Sequence, residues 1–372
     1  MNRILVSDET EMGLRELRSD HESGAQALAV KALEIILNSV QKGVLSKLSS
    51  AADFWKELRW MAWHLGKNGR PSMAAAIETQ LFTALNTVKT KMKLLTDENK
   101  GETTLQSARK IAEEAIKEGI AARKHTLQKL AESFTTFIQT RPPVQGRSDQ
   151  APPIRVVTLS SSGTITQCLS NLISVLAAKK FDISLSVLES RPNFEGVSFV
   201  NTLLQSLTVD SHITDRLRIE VVSDASMAMV TRNADYLLLG GDKVLPNGNV
   251  CNKMGSLSAA IVAKTINPKC HVIAAFDTSK ITATASFEES HEKAEYNDEA
   301  EMVVAWPNGM YGQLQGQRDR KFMVEVKNAY FEWVEAKWID TYISEEGVLG
   351  ISDIERLGKL SKEIEDGVFS DL

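Results

Sequence analysis

Five short apolar runs separated by helix-length segments fill the chain after residue 153 and leave it little choice of fold. Ile154–Leu159, Ile183–Leu188, Arg218–Val222, Tyr236–Leu239 and His271–Ala275 have the length and character of buried strands. Between them lie Thr164–Ala178, Val197–Leu207, Ser226–Thr231 and Leu257–Thr265, which read as helices. Strands joined through helices pair in parallel, and a parallel sheet needs cover on both faces, so the alternation predicts an open α/β sheet. The first 140 residues carry a different period. Ala25–Val40, Ser50–Leu65, Pro71–Leu95 and Thr103–Gln139 place apolar residues at helical spacing, with Pro71 suited to a helix start and Gly119 a weak point inside the longest stretch. Between the two patterns, Pro142, Pro143, Pro152 and Pro153 sit among polar residues and make a stiff surface linker. The expected organisation is therefore a helical domain over 1–140, a linker over 141–153 and a sheet domain over 154–372.

Composition removes several function classes. A chain of 372 residues with 43% hydrophobic and 24% charged residues is that of a soluble globular protein of about two domains. A net charge of −5 with no basic stripe argues against direct nucleic-acid binding. Cys168, Cys251 and Cys270 show neither metal spacing nor a disulfide framework, which fits a reducing compartment. No signal peptide follows Met1, and no apolar run approaches a membrane span, so a cytoplasmic location away from membranes is expected. His21, His64, His125, His212, His271 and His291 are scattered, and neither a metal nor a cofactor is expected. Walker-type, Gly-x-Gly-x-x-Gly and Gly-x-Ser-x-Gly loops are missing. The acidic run Glu288, Glu289, Glu292, Glu295, Asp298, Glu299 and Glu301 reads as a solvated surface.

The densest chemistry lies in Gly240–Ser256, after the strand Tyr236–Leu239 and before the helix Leu257–Thr265. Asp242 follows the strand, Asn247-Gly248 and Asn252-Lys253 lie in a polar loop, and Gly255-Ser256 opens a helix whose free N–H groups suit a phosphate. In an open α/β sheet this is the end where ligands bind. Four further segments would meet it. Ser160-Ser161-Ser162-Gly163 follows the first strand and offers hydroxyls and amides. Arg191, in the segment running to Glu195, could grip an anion bidentately. Asp224 is either a helix N-cap or a cleft carboxylate. Arg70-Pro71-Ser72 could reach the cleft from the helical part.

These residues resemble the family that joins the alpha, beta and delta regulatory subunits of translation initiation factor two-B with isomerases of methylthioribose-1-phosphate and ribose-1,5-bisphosphate. The family pattern Gly-x-Asp-x-x-x-x-Asn-Gly-x-x-x-Asn-Lys-x-Gly is matched by Gly240, Asp242, Asn247, Gly248, Asn252, Lys253 and Gly255. Glu189, Arg191 and Pro192 are similar to its Glu-Thr-Arg-Pro, and Ser223-Asp224 to its Thr/Val-Asp-Ser segment. Arg70-Pro71-Ser72 is similar to its Arg-Pro-Thr, and Asp20 to Ala25 stands where it has an N-terminal Gly-Ala helix start. The resemblance implies an N-terminal all-helical domain followed by a Rossmann-like parallel-sheet domain. It also implies a homodimer, or a hetero-oligomer with related subunits, formed through that second half.

Two departures bear on activity. In the isomerases an Asp at the position of Asp242 works as acid/base with a Cys that follows Thr-His; here the segment is Thr158-Leu159-Ser160. A hydroxyl is far less acidic than a thiol of pKa about 8.5 and needs a neighbouring base, which the sequence does not identify. The isomerases' phosphate-gripping Arg before Gly-Ala is replaced by Ser23. The expected function is thus a regulatory-subunit-like protein that binds a sugar phosphate or nucleotide in the cleft and acts in translation initiation or its regulation. The alternative is an aldose–ketose isomerase, an intramolecular oxidoreductase in which Asp242 moves a proton between C1 and C2. A scaffold with neither activity is the third reading. Asp242 and Ser160 are the expected catalytic pair, and Arg70, Ser161, Ser162, Arg191, Glu195, Asn252 and Lys253 the expected ligand-binding residues.

Overall fold

The computed structural model describes residues 2–20, 23–70, 73–99, 103–141, 152–207, 211–282, 296–319 and 324–372. The helical expectation for the first part holds. Helices α1 (Asn2–Ser19), α2 (Ala25–Gln41), α3 (Ala51–Asn68), α4 (Ala74–Asn99) and α5 (Leu105–Gln139) follow in order. Ser50 starts α3 by accepting the Asp53 N–H at 3.0 Å, and Thr104 starts α5 by accepting that of Ser107 at 3.2 Å. The apolar stripes of α2, α3 and α4 close on Ala108, Ala112, Ala115 and Ile116 of α5 in one core. The last turns of α5 do something else: Leu130, Phe134, Phe137 and Ile138 pack on the sheet with helix α6 (Gly163–Ala178). One 35-residue helix therefore serves both cores. Most of the proline-rich linker, residues 142–151, lies outside the described residues.

The sheet forms as the alternation predicts. Its strands include β1 (Ile154–Leu159), β2 (Ile183–Leu188), β3 (Leu217–Val222), β4 (Tyr236–Leu239) and β7 (His271–Ala275). The order across it is Gly347–Leu349, Thr341–Ser344, β7, β4, β1, β2, β3, parallel except for the hairpin strand Gly347–Leu349. From β1 the chain proceeds outward through β2 to β3, then returns to the other side of β1 at β4. The gap between β1 and β4 is thus the topological switch point, where an open sheet leaves a crevice at its carboxyl edge. Helix α7 (Glu195–Ser206) packs with α6 over one face, and the helix Ser256–Ile266 covers the other.

The segment read as a polar loop after β4 is in fact a hairpin. Strands β5 (Lys243–Val244) and β6 (Val250–Lys253) pair antiparallel, and Phe331–Val334 adds a third strand. Val244, Leu245, Val250 and Cys251 are buried, and this short apolar set is what the polar loop conceals. Asn247-Gly248 makes the turn: Gly248 stands at φ +85°, and Asn247 Oδ1 accepts the Asn249 N–H at 3.0 Å. The helix Ile351–Phe369 then runs back to the helical part, where Val368 enters the first core. Among the described residues no helix is long and apolar enough to cross a membrane.

Candidate functional site

A cavity of about 350 Å3 occupies the crevice above β1 and β4. Leu159–Thr164, Gly240, Asp242 and Asn252 line it from the sheet, and Lys280 from the turn after β7. The helical part closes it: Gly24–Ala27 and Val30 come from α2 and its cap, Arg123 and Leu127 from α5. Two helix starts face this space. Gly24 caps α2 with no side-chain hydrogen bond, and Ser162 caps α6 by accepting the Ile165 N–H at 3.4 Å. Free amides and the positive ends of two helix dipoles suit an anionic ligand there.

Three acid–cation pairs, each with a buried cation, set the electrostatics. The first is Asp242 with Lys280, at 3.9 Å. Lys280 is 3% exposed and also donates to Gly241 O at 2.5 Å. Burial raises the Asp242 carboxyl above the ordinary aspartate value, against the pull of Lys280, Lys253 and Arg70. The second is Lys253 with Glu195, at 2.9 Å. Burial pulls the Lys253 ammonium below the usual lysine range although Glu195 favours its charge, and its Nζ stands 3.0 Å from the Tyr330 ring centroid. Tyr330 Oη donates to Glu195 Oε1 at 3.0 Å. The third is Arg123 with Asp277, at 3.0 Å. Burial alone would raise Asp277, but Arg123, Lys280 and Ser279 outweigh it and hold the carboxyl at about 2.

Ser160 sits where β1 ends, in the left-handed region at φ 65°, and its N–H donates to Ser190 Oγ at 2.7 Å. A non-glycine residue there carries about 1 kcal/mol of strain, the kind of cost that clusters at functional sites. Ser160 Oγ reaches Glu195 Oε2 at 3.5 Å. The carboxylate that stands by this hydroxyl is therefore Glu195, at the long edge of hydrogen-bond reach. Gly196 explains its position. A Cβ at 196 would fall 2.0 Å from Leu188 O, so only glycine lets α7 begin against the end of β2, with Glu195 over the strand ends.

Of the expected site residues, Ser160, Ser161, Ser162, Asp242 and Asn252 line the cavity, while Glu195 and Lys253 stand behind Ser160. Arg70 is 3% exposed; its Nη1 donates to Asp20 O at 2.9 Å and its charge acts on Asp242. Arg191 lies elsewhere. It is exposed, its guanidinium is 5.3 Å from the Phe194 ring centroid, and it is not part of the cavity wall. Asp224 is neither cap nor cleft carboxylate: it accepts the backbone N–H groups of Ser190 and Arg191, each at 2.9 Å, and so fixes the loop after β2. The helix start at Ser256 is not open to a phosphate. Glu332, carried opposite Asn252 by strand pairing, accepts the N–H groups of Gly255 at 2.6 Å and Leu257 at 3.0 Å. His21, Pro71, Ser72, Glu288, Glu289, Glu292 and Glu295 lie outside the described residues.

Sequence reasoning missed Gln26, Arg123, Asp277 and Lys280. Arg123 did leave a signal, a charge seven residues from Ile116 and seven from Leu130 on an otherwise apolar stripe. Asp277 follows the end of β7 much as Asp242 follows that of β4. Among the described residues no group of three or more His, Cys, Asp or Glu side chains could hold a metal ion.

Residues 21–350 match the family model described as the Initiation factor 2 subunit family. A 5-deoxyribose 1-phosphate isomerase of Bacillus thuringiensis is 27% identical over 183 residues, 49% of this chain and 47% of its own. A methylthioribose-1-phosphate isomerase of Bacillus cytotoxicus is 26% identical over 203 residues, 52% of each chain. The chain thus spans about half the length of these curated relatives. Among solved structures, the translation initiation factor eIF-2B of Pyrococcus horikoshii OT3 superposes with a TM-score of 0.63 at 18% identity, covering 91% of this chain and 96% of that one. At that identity the likeness speaks for the fold alone.

Proposed function

The chain belongs to the Initiation factor 2 subunit family, and from that premise we propose that it is an aldose–ketose isomerase of a sugar phosphate, with Asp242 as acid/base. This reverses the order of the two sequence-based readings. The observation that carries it is Asp242 itself: a carboxyl in the wall of the cavity, raised by burial, beside the ammonium of Lys280. A carboxyl shifted toward neutrality both takes and returns a proton within one cycle, as movement of hydrogen between adjacent carbons requires. Lys280 and Lys253 offset the negative charge that develops on the sugar oxygens. Ser160, polarised by Glu195, holds a substrate hydroxyl, and Asn252, Ser161 and Ser162 orient the ligand. The two curated relatives, both named as isomerases of sugar 1-phosphates, support the same reading.

A second reading keeps the cleft for binding without turnover, as in a regulatory subunit. The observation that favours it is Ser160: a hydroxyl in place of a thiol, beside a carboxylate, Glu195, already engaged by Lys253 and Tyr330. Association through the sheet-bearing half belongs to either reading, and Val197, Leu204 and Val221 stand exposed around α7 and β3. A cytoplasmic setting is proposed from three buried cysteines that form no disulfide. The test mixes the purified protein with methylthioribose-1-phosphate and with ribose-1,5-bisphosphate and follows ketose product by NMR. Product that vanishes in Asp242→Asn is expected; saturable binding with no product from either sugar would overturn the isomerase reading.

A further inference from the structure

Arg123 carries hydrogen-bonding capacity that the fold does not use. It stands on the buried stripe of α5, is 6% exposed, and lines the cavity. Its Nη1 is fixed by Asp277 Oδ1 at 3.0 Å and Ser279 Oγ at 3.2 Å. Its Nε and Nη2 are buried and find no acceptor among the described residues. A guanidinium cannot shed its proton to escape burial, so these two donors are left desolvated unless something enters the cavity and accepts from them.

What the cavity would place against them is set by its other walls. Gln26, in the first turn of α2, donates to Asp277 Oδ2 at 2.7 Å and to Thr164 Oγ1 at 3.0 Å. One carboxylate therefore ties the guanidinium to the start of α2, and Gln26 links that point to the start of α6. The N–H groups of Ala25, Gln26 and Ala27 have no acceptor among the described residues. The Nε–Nη2 edge of a guanidinium is a planar pair of donors that matches two oxygens of a phosphate. Asp277, ionised at any ordinary pH, holds the Nη1 side, and Arg123, whose other two nitrogens find no acceptor among the described residues, lines the cavity.

We propose that the Nε–Nη2 edge of Arg123, beside the open start of α2, grips the phosphate of the ligand. The inference rests on the sugar-phosphate reading for what the ligand is, but not on its turnover. It also answers the loss noted at Ser23: the cation comes from the middle of α5 instead of from the residue before α2. Asp277 and Ser279 act as positioning residues, since they touch Arg123 and fix its orientation.

Inorganic phosphate is the probe, titrated into the full-length protein by calorimetry, with Arg123→Met and Arg123→Lys as the variants and circular dichroism as the check on folding. Phosphate affinity is expected to fall tenfold to about a hundredfold in Arg123→Met, the range for losing charge-assisted bonds. It is expected to fall about tenfold in Arg123→Lys, which keeps the charge and most of the stem but loses the planar edge. Should Arg123→Met misfold, the lysine variant alone decides: phosphate affinity equal to wild type overturns the proposal. A folded Arg123→Met that binds phosphate like wild type also overturns it. Phosphate binding that depends on Arg123 in a protein that turns over neither sugar leaves this inference standing and removes the isomerase reading. Turnover with an unchanged KM in Arg123→Met does the reverse.

Discussion

The two ends of the sheet each hold a cavity, and the larger one is the less equipped. At the amino ends of β1, β4 and β7 a space of about 570 Å3 is lined by Arg141, Arg155, Arg232 and Lys269, with Asp235 and His271. At the carboxyl ends the space is about 350 Å3. Charge count and volume would favour the first. Arg141, Arg232 and Lys269 are exposed there, however, and exposed charges are screened by solvent and salt. Asp235 is committed to the Arg155 N–H at 2.8 Å, and His271 Nε2 lies 2.8 Å from Thr341 Oγ1. At the carboxyl end every paired cation is buried beside a chosen carboxylate, and one of them keeps two donors without an acceptor among the described residues. Preorganised, desolvated groups do chemistry that solvated ones cannot. The difference between the two ends is burial and orientation, set by the switch point, and not amount of charge.

The widest separation is expected in turnover. Asp242→Asn should lower kcat by about a hundredfold to ten-thousandfold, the usual share of a general acid/base, whereas His271→Gln at the other end should leave it unchanged. The same Asp242 substitution should raise the melting temperature at neutral pH. Because the folded-state pKa is raised, the native protein holds this proton more tightly than the unfolded chain, so the cost of Asp242 builds as pH rises above the unfolded-chain value and is complete above the folded one. A variant that keeps full turnover, or that loses both turnover and melting temperature, would erase the contrast between the two ends.

Glu195→Gln sharpens the comparison in stability. It leaves Lys253, 3% exposed, without its carboxylate. The expected cost is about 3 kcal/mol by urea unfolding, as for other broken buried pairs. Arg155→Gln at the amino end should stay within about 0.5 kcal/mol. Equal costs at the two ends would mean that burial is not what distinguishes them.

How much of this was legible follows the same division. Strands announce themselves by runs of neighbouring residues, so β1, β2, β4 and β7 read off the sequence with the bounds that the structure gives them. Asp242 and Ser160 were also readable, since each lies within a few residues of a strand end, and Asn252 was readable from the Asn-Lys of the segment pattern. The hairpin β5–β6 was not, because Lys243-Val244 is too short for alternation to show. That the helix start at Ser256 is closed by Glu332 was not readable, because Glu332 lies 75 residues from Leu257 and meets it only through strand pairing. Arg123 and Asp277 are 154 residues apart, and no local period relates them. What sequence conveys poorly is which buried charge meets which, and that is where this site's character resides.

The smaller effects separate the two ends by pH and by salt. Asp277 is held at about 2, below its ordinary value, so its contribution is complete above about pH 4 and is lost as pH falls toward 2. Acid unfolding of the wild type should therefore steepen in that window by about 2 kcal/mol, and Asp277→Asn should remove that part of the slope. The amino end has no counterpart, since its charges gain little from one another in water. Arg232→Ala and Lys269→Ala should each change stability by less than about 0.5 kcal/mol, and whatever change they cause should shrink further between 50 and 500 mM salt, where screening shortens to a few ångströms. The Asp277 step should survive the same salt, because a pair from which water is excluded is screened far less. A salt-sensitive acid step, or a salt-resistant effect at Arg232, would mean that the two ends had been ranked in the wrong order.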